Sequence, residues 1–407
     1  MVVSVAKHNA PALRFGGFDG KWDTARMGDV AELNPSADIP NLFNYVDLAS
    51  ILGTELVSYC PYSKGKAPSR AQRVAQIGDI FYQTVRPYQK NNYHFNFQSD
   101  RAFVFSTGYA QIRPKINSSY VFTAVQRDEF LTQVLDRCTG TSYPAIAPSQ
   151  VAEITLSFPE SWKEQHAIGE LFADLDALIE QHRAKHANLQ QTKTALLQRM
   201  FPQDCADEPE LRLDGFSGAW QPRIMRDCAE YSKGSGYSKK DITDEGTPVI
   251  HYGRLYTNYE TVITSVDTFA SPQPGALISR GDEVLVPASG ETAEDIAIAS
   301  ALLQPGVLIG GDLNVIRPRR NIDPVFLALN LSNGVAKETL VKRAQGKSVV
   351  HLRNSDIQDI EIFFPTLEEQ HAIGEVFFNL DALIAAESCY ITQLTQAKTA
   401  LLQRMFV

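Results

Sequence analysis

The chain has 407 residues, 44% of them hydrophobic and 21% charged, which fits a globular protein too long for one ordinary domain. No apolar run nears the roughly 18 residues of a membrane span, and the opening MVVSVAKHNAP lacks the apolar core of a secretory signal, so a cytoplasmic protein without a membrane partner is expected. A formal net charge of −9 argues against indiscriminate coating of nucleic acid and leaves room for local basic faces. The five cysteines (Cys60, Cys138, Cys205, Cys228 and Cys389) include no C-x-x-C, which points to inert thiols in a reducing compartment and to no zinc site.

In chain order, the first marked segment is Leu13–Trp22, LRFGGFDGKW. A long interior follows that reads as mixed strand and helix with many turns. Within it Tyr62, Lys64, Lys66, Arg70, Arg73, Tyr82, Arg86, Tyr88, Lys90 and Tyr93 interleave basic and aromatic side chains. Such a mixture suits phosphate neutralisation and base-edge contact, and equally a solvated surface. Gly78-Asp79 opens an apolar strand, and Ile112-Arg113-Pro114 ends another.

Pro159 then precedes Ser161-x-x-Glu164, a capping-box pattern in which the hydroxyl takes an early N–H and the glutamate reaches back. The helix it starts carries EQHAIGE at Glu164–Glu170, DALI at Asp176–Ile179 and KTALLQRMF at Lys193–Phe201. Ile168, Leu175, His182, Leu189 and Leu196 recur every seven residues, the period of a coiled coil. About 38 residues make a rod of roughly 55 Å, and Pro202 ends it. The acidic stretch Asp204–Glu210 reads as an exposed linker.

Everything then recurs. Leu211–Trp220 reads LRLDGFSGAW, and a second interior brings Lys233, Tyr237, Lys239, Lys240, Tyr252, Arg254, Tyr256 and Tyr259, with Arg317, Arg319 and Arg320 later. Gly281-Asp282 matches Gly78-Asp79, Ile316-Arg317-Pro318 matches Ile112-Arg113-Pro114, and Gly346-Lys347-Ser348 matches Gly140-Thr141-Ser142. Arg113 and Arg317, each before a proline at a strand end, suit a structural role as well as a DNA contact. Thr366-x-x-Glu369 opens a second helix with the same three blocks, at Glu369–Glu375, Asp381–Ile384 and Lys398–Phe406. Its seam is Ile373, Leu380, Glu387, Leu394 and Leu401.

An ordinary core would not require both copies to keep the same polar residues at Gln165, Lys193, Gln198 and Arg199, so the two helices are expected to pair with each other, antiparallel. His182 and Glu387 would then face each other as a polar layer that fixes register, or each would snorkel to solvent. The fold class expected is α+β: two similar mixed α/β domains joined by two long helices in an antiparallel coiled coil, with pseudo-two-fold symmetry. Its segments are residues 1–158, a spacer helix at 159–202, the acidic linker 203–210, a second domain at 211–364 and a second spacer helix at 365–407.

No catalytic or metal site is legible. The Asn/Asp-Pro-Pro-aromatic tetrapeptide of adenine methyltransferases is missing, its nearest approach being Asn34-Pro35-Ser36. Gly346-Lys347-Ser348 imitates the end of a P-loop, but Val341 stands where that motif needs glycine. His166 and His371 sit at matching helix sites, which favours a repeated partner contact over catalysis.

The twice-used P…EQ-x-x-I…LD-x-x-I…L-x-x-x-K-x-x-LLQ-x-MF pattern, with L-R-F-x-x-F-x-G-x-W before the first interior and the same segment with Leu213 for the first Phe before the second, resembles the specificity subunit of type I restriction–modification systems. Ser69-Arg70-Ala71, Gly78-Asp79-Ile80 and Val85-Arg86-Pro87 look like parts of that family's target-recognition domains. The resemblance implies a non-catalytic targeting subunit whose two domains each read half of a bipartite asymmetric site in double-stranded DNA. The helices would set the gap and dock two modification subunits that bind S-adenosylmethionine. Two restriction subunits using ATP and Mg would complete the assembly, and this chain would hold no cofactor itself. DNA contact is then expected from Lys64, Lys66, Arg70, Arg73, Arg86, Lys90 and Tyr93, and from Lys233, Tyr237, Lys239, Lys240, Arg254, Tyr256, Arg317, Arg319 and Lys347. Partner contact is expected from Gln165, His166, Gln198, Arg199, Gln370, His371, Gln403 and Arg404. Three alternatives stay open: a coiled-coil scaffold without a DNA role, an enzyme in its own right, and a related system in which one partner polypeptide both methylates and cleaves.

Overall fold

The computed structural model describes residues 10–140, 142–203, 206–346 and 349–407, apart from the side chain of Lys239. The chain divides into two compact units, Met1–His182 with Tyr390–Val407, and Arg183–Cys389. The boundaries fall inside the long helices. Each unit therefore holds one interior domain, the N-terminal part of the helix that follows it and the C-terminal part of the other helix.

In the first unit, Trp22–Arg26 pairs antiparallel with Thr155–Pro159 and so closes the domain at its two ends. Between them lie two four-stranded sheets. One has the order Cys60–Ser63, Leu42–Val46, Phe103–Ser106, Ala71–Val74, and the other Ala31–Leu33, Tyr109–Pro114, Asp79–Gln83, Tyr93–Phe95. Asp79–Gln83 is buried along its whole length, as expected of a central strand covered on both faces. Asn117 caps the helix Ser118–Val125 by accepting from Tyr120 N at 2.9 Å. The core gathers Trp22, Tyr120, Phe172 and Phe406, so the end of the second long helix supplies an aromatic side chain to the first domain.

The second unit repeats the plan with different trimming. Gln221–Ile224 pairs with Glu361–Phe364. A five-stranded sheet runs Ala229–Lys233, Leu313–Pro318, Glu283–Pro287, Ser300–Leu302, Val262–Ile263, beside a four-stranded one. Phe201 meets Trp220 as Phe406 meets Trp22.

The long helices are Trp162–Arg199 and Leu367–Arg404, each of 38 residues, starting where the caps placed them. Within the first unit Asp176 meets Lys398 and His182 packs edge-on against Tyr390 at 4.5 Å. Within the second, Lys193 meets Asp381 and Lys185 lies 2.6 Å from Glu387. In both, one number rises as the other falls, so the segments run antiparallel. Glu387 is buried beside Lys185 rather than extended into solvent. No helix among the described residues is long and apolar enough to cross a membrane.

Two expectations need correction. The glutamates of the capping boxes do not reach back to their caps. Glu164 and Glu369 are fully buried, and each takes a two-pronged contact from an arginine of the segment before its domain: Arg14 at 2.6 and 2.7 Å, Arg212 at 2.8 and 2.7 Å. A bidentate guanidinium outcompetes a single backbone N–H for a carboxylate. Also, the true counterpart of Asp79 is Glu283, not Asp282. Ile80 pairs with Ile112 as Val284 pairs with Ile316, so the residue before each is the equivalent one.

Candidate nucleic-acid interface

The loops of the first domain converge where Tyr109–Pro114 begins. Thr107 N donates to Arg70 O at 2.8 Å, and Thr84 N donates to Gly108 O at 3.0 Å. That turn therefore ties the Arg70 backbone to the segment leading into Arg86. A third loop joins them, because Ile146 N donates to Thr84 O and Arg86 N donates to Pro144 O. Residues 64–70 cross the first sheet towards this place. Lys64 N bonds Asn41 O at one end of the sheet, Ala67 packs against the cluster of Phe43, Tyr45, Ala71 and Val104, and Lys64, Lys66 and Arg70 are exposed.

Charge pairing sorts the remaining candidates. Lys90 is held by Asp128 at 2.6 Å and by the Gln126 carbonyl at 3.0 Å. Arg73 lies half-buried in an edge strand opposite Phe105, its Nε buried without a partner, and burial lowers its pKa. Tyr93 does not join the convergent loops. It lines a cleft of about 210 Å³ with His94, Asp176 and Lys398, and burial raises its phenol. Arg113 is taken by the fully buried Asp79 at 2.8 Å through two bonds, which raises the Arg113 pKa.

The second domain converges on the equivalent turn. Ala288 N donates to Asp312 O at 2.7 Å and Leu352 N donates to Ala288 O at 3.0 Å, matching Thr84, Gly108 and Ile146. The loop after Lys233 lies along this turn, since Gly234 N bonds Leu313 O and Gly311 N bonds Gly236 O. Lys233, which opens this loop, is exposed, as is Lys240 further along the chain. Tyr237 is buried in a left-handed conformation, φ 47°, and its hydroxyl accepts from Gln273 N at 2.8 Å. Arg254 is paired with Glu260 at 2.7 Å and Asp267 at 3.0 Å. Tyr256 packs on Tyr252, with ring centroids 6.1 Å apart.

Arg317 is paired with the fully buried Glu283 at 3.1 Å, the same internal ion pair that Arg113 makes with Asp79. Arg319 is exposed but lies past the far end of Leu313–Pro318, beside Cys228, whereas Lys233 pairs with Asn314 near its start. The fold does not bring these two together. Lys347 lies outside the described residues, as do Thr141 and Ser348, and the Lys239 side chain is not described.

The residues expected to touch partners also separate. Gln165 and Gln370 are buried, and both ends of each amide are used inside their own unit. Gln165 Oε1 accepts from Asn117 N at 3.0 Å while its Nε2 donates to Pro159 O at 2.7 Å; Gln370 does the same with Asp323 N and Pro365 O, both at 3.0 Å. They fasten the domain helix to the spacer helix. His166 stacks on the exposed Trp162 and lies 3.1 Å from Glu170, whereas His371 lies 2.8 Å from Asp323. Gln198, Arg199, Gln403 and Arg404 are exposed, Arg199 being 2.8 Å from Glu210.

The sequence reading missed Arg14, Arg212, Glu164 and Glu369 as partners, although both members of each pair sat inside repeated blocks. It also missed Tyr143, which no spacing marks. No cluster of three or more metal-ligating residues occurs among the described residues.

Comparison with known proteins bears on the whole frame. A specificity subunit of the type I restriction enzyme MjaVIII from Methanocaldococcus jannaschii is 22% identical over 291 residues, covering 69% of this chain and 67% of its own. The solved type I restriction–modification S subunit from M. genitalium superposes with a TM-score of 0.62 at 14% identity, over 98% of this chain and 99% of its own. A chain from a structure of the type I R–M system, solved for its complex assembly and conformational transition, gives 0.50 at 24% identity over 95% and 97%. These likenesses concern the fold. The pattern described as "Type I restriction modification DNA specificity domain" matches twice, over residues 20–191 and 218–396. With that pattern covering most of its length in two copies, the chain belongs to the type I restriction–modification DNA-specificity family.

Proposed function

We propose that this chain is the DNA-recognition subunit of a type I restriction–modification complex, a targeting subunit rather than a catalyst. The observation that carries the reading is the doubled domain, each copy with convergent loops at the same turn but different side chains upon them. Two unlike reading surfaces call for a bipartite asymmetric site. In the first domain Lys64, Lys66, Arg70 and Arg86 face the DNA, and in the second Lys233 and Lys240 do. Arg113, Arg317, Lys90 and Arg254 already have carboxylate partners, and their role is to shape the domains.

The long helices, each divided between both units, set the gap between half-sites, and one DNA turn of about 34–36 Å is the natural scale for such a gap. The exposed Gln198, Arg199, His371, Gln403 and Arg404, with the half-buried His166, are the docking candidates for two modification subunits. S-adenosylmethionine would be bound there, and ATP and Mg by restriction subunits. A net charge of −9 leaves part of the phosphate contact to those partners.

The test is a methylome. The chain is expressed with its modification subunit in a methylation-free host and N6-methyladenine is mapped. One split motif with a fixed gap and one modified adenine per half, on opposite strands, is expected. A soluble, stable complex that leaves the genome unmethylated and binds duplex DNA without sequence preference would overturn the reading in favour of a scaffold.

A further inference from the structure

Arg86 differs from every other arginine of the first domain in its backbone. Its backbone is left-handed, φ 55°, a conformation that non-glycine residues adopt rarely and that gathers at functional sites. Two contacts hold it there: Arg86 N donates to Pro144 O at 2.8 Å, and Val85 bridges to Ala145. The guanidinium lies 4.4 Å from the centre of the Tyr143 ring. Its Nε is buried without a partner, and no carboxylate or carbonyl among the described residues takes its other nitrogens. Tyr143 is 62% exposed, so this polar group lies against an aromatic ring that has no core to fill.

We infer that Arg86 reads a guanine in the half-site of the first domain, with Tyr143 as the positioning residue that holds its guanidinium plane. The inference rests on the DNA-recognition reading above and adds a residue and a base to it. A phosphate contact needs only charge and reach, as on the exposed Lys64 and Lys66. A guanidinium stacked on a ring, with its Nε edge covered, offers its two terminal N–H groups side by side. That fork matches the adjacent O6 and N7 acceptors of guanine in the major groove.

The second domain supplies the contrast. Thr84 and Ala288 make the same two backbone bonds, so Arg86 corresponds to Gly290. A Cβ at Gly290 would stand 2.5 Å from Ile296 Cγ2, so that domain has no room for a side chain at this point. The next residue there is the exposed Glu291, where the first domain has Pro87. The two domains cannot read this position in the same way.

The experiment measures binding of the assembled complex to duplexes substituted at each base pair of its target, at two salt concentrations. In the wild type, one guanine of the first half-site should carry a penalty when replaced by adenine. Arg86→Ala should erase about tenfold to a hundredfold of discrimination at that base pair and leave the second half-site unchanged. Arg86→Lys should lose the same discrimination while keeping the salt dependence, because it keeps the charge and loses the fork. Tyr143→Ala should relax the same base pair, and Tyr143→Phe should restore it. A uniform loss on all sequences in Arg86→Ala, with the salt slope reduced by about one and Arg86→Lys behaving as wild type, would make Arg86 a phosphate contact and overturn the inference. Discrimination unchanged in both Arg86 variants would overturn it as well. A wild-type complex without any sequence preference would instead remove the DNA-recognition reading, and this inference with it.

Discussion

Arg14 on Glu164 and Arg212 on Glu369 are one contact made twice, with nearly the same distances and the same full burial of the carboxylate. Arg86 and Gly290 also occupy one place in two domains, and they share no chemistry. The first comparison lies where domain meets helix, the second where loops converge at the turn before the central strand. Repetition at the base keeps the geometry of the frame fixed. Divergence at the tips then changes what is read without disturbing what carries it. This division explains why residues paired inside the frame, such as Arg317, are poor candidates for reading bases even when they are basic and half-exposed.

The largest expected effect comes from breaking one of the repeated contacts. Arg14→Ala leaves the Glu164 carboxylate buried without a counter-charge, a change that costs about 3–5 kcal/mol. Hydrogen exchange should then quicken across residues 13–160 and not across residues 211–365. Arg212→Ala should reverse the pattern. If either variant loosens both regions equally, the two frames do not hold their domains independently. Replacing both members of a pair by apolar residues should recover much of the loss, since the penalty lies in the orphaned charge.

The next effect is confined to one unit. His94 sits beside Phe122, 3.1 Å from Ser118, in the cleft that Asp176 and Lys398 also line, and burial lowers its pKa to about 4 despite the opposing pull of Asp79. Its register counterpart in the second unit is Ala301, which cannot titrate. An imidazole that must be neutral to stay folded stabilises fully above about pH 6.5 and progressively less as pH falls towards 4. The first unit should therefore lose up to roughly 3 kcal/mol across that window. Hydrogen exchange at pH 7 and pH 5 checks this. His94→Gln should flatten the dependence in the first unit. Equal sensitivity in that variant would place the cause elsewhere.

Much of this was legible before any coordinates. The helices, their starts and their antiparallel pairing followed from blocks repeated at a constant offset, because identical residues on identical faces must do identical work. Of the seam that the period marked, Ile168, Ile373, Leu380 and Glu387 are buried, and Leu175, His182, Leu189, Leu196, Leu394 and Leu401 are half-buried. The individual site residues were less legible. Lys90 and Lys66 look alike in a sequence, and only the presence of Asp128 across the fold separates them. Asp79 and Glu283 were misaligned by one residue because glycine-aspartate is a stronger visual match than a shared pairing register. Gln165 and Gln370 looked exposed because glutamine is polar, whereas a buried amide is stable wherever a backbone donor and acceptor lie within its reach.

The smallest effect tests the repeat at a single atom. Gly169 and Gly374 occupy the same place in EQHAIGE, on the helix face that meets the domain. A Cβ on Gly169 would stand 2.7 Å from both Ser119 Cβ and Tyr120 N, so the domain helix or the spacer helix must move. A Cβ on Gly374 would meet nothing nearer than 3.4 Å, the nearest atoms being Asp323 Oδ1 and Val325 Cβ. Alanine also favours the helix over glycine by up to about 1 kcal/mol. The two terms oppose each other in the first copy and act together in the second. Gly169→Ala should destabilise the first unit by about 1–2 kcal/mol net of the helix gain, whereas Gly374→Ala should leave the second unchanged or up to about 1 kcal/mol more stable. Thermal unfolding of the two variants separates the cases by sign. Equal losses would mean that the second domain packs against its helix as tightly as the first.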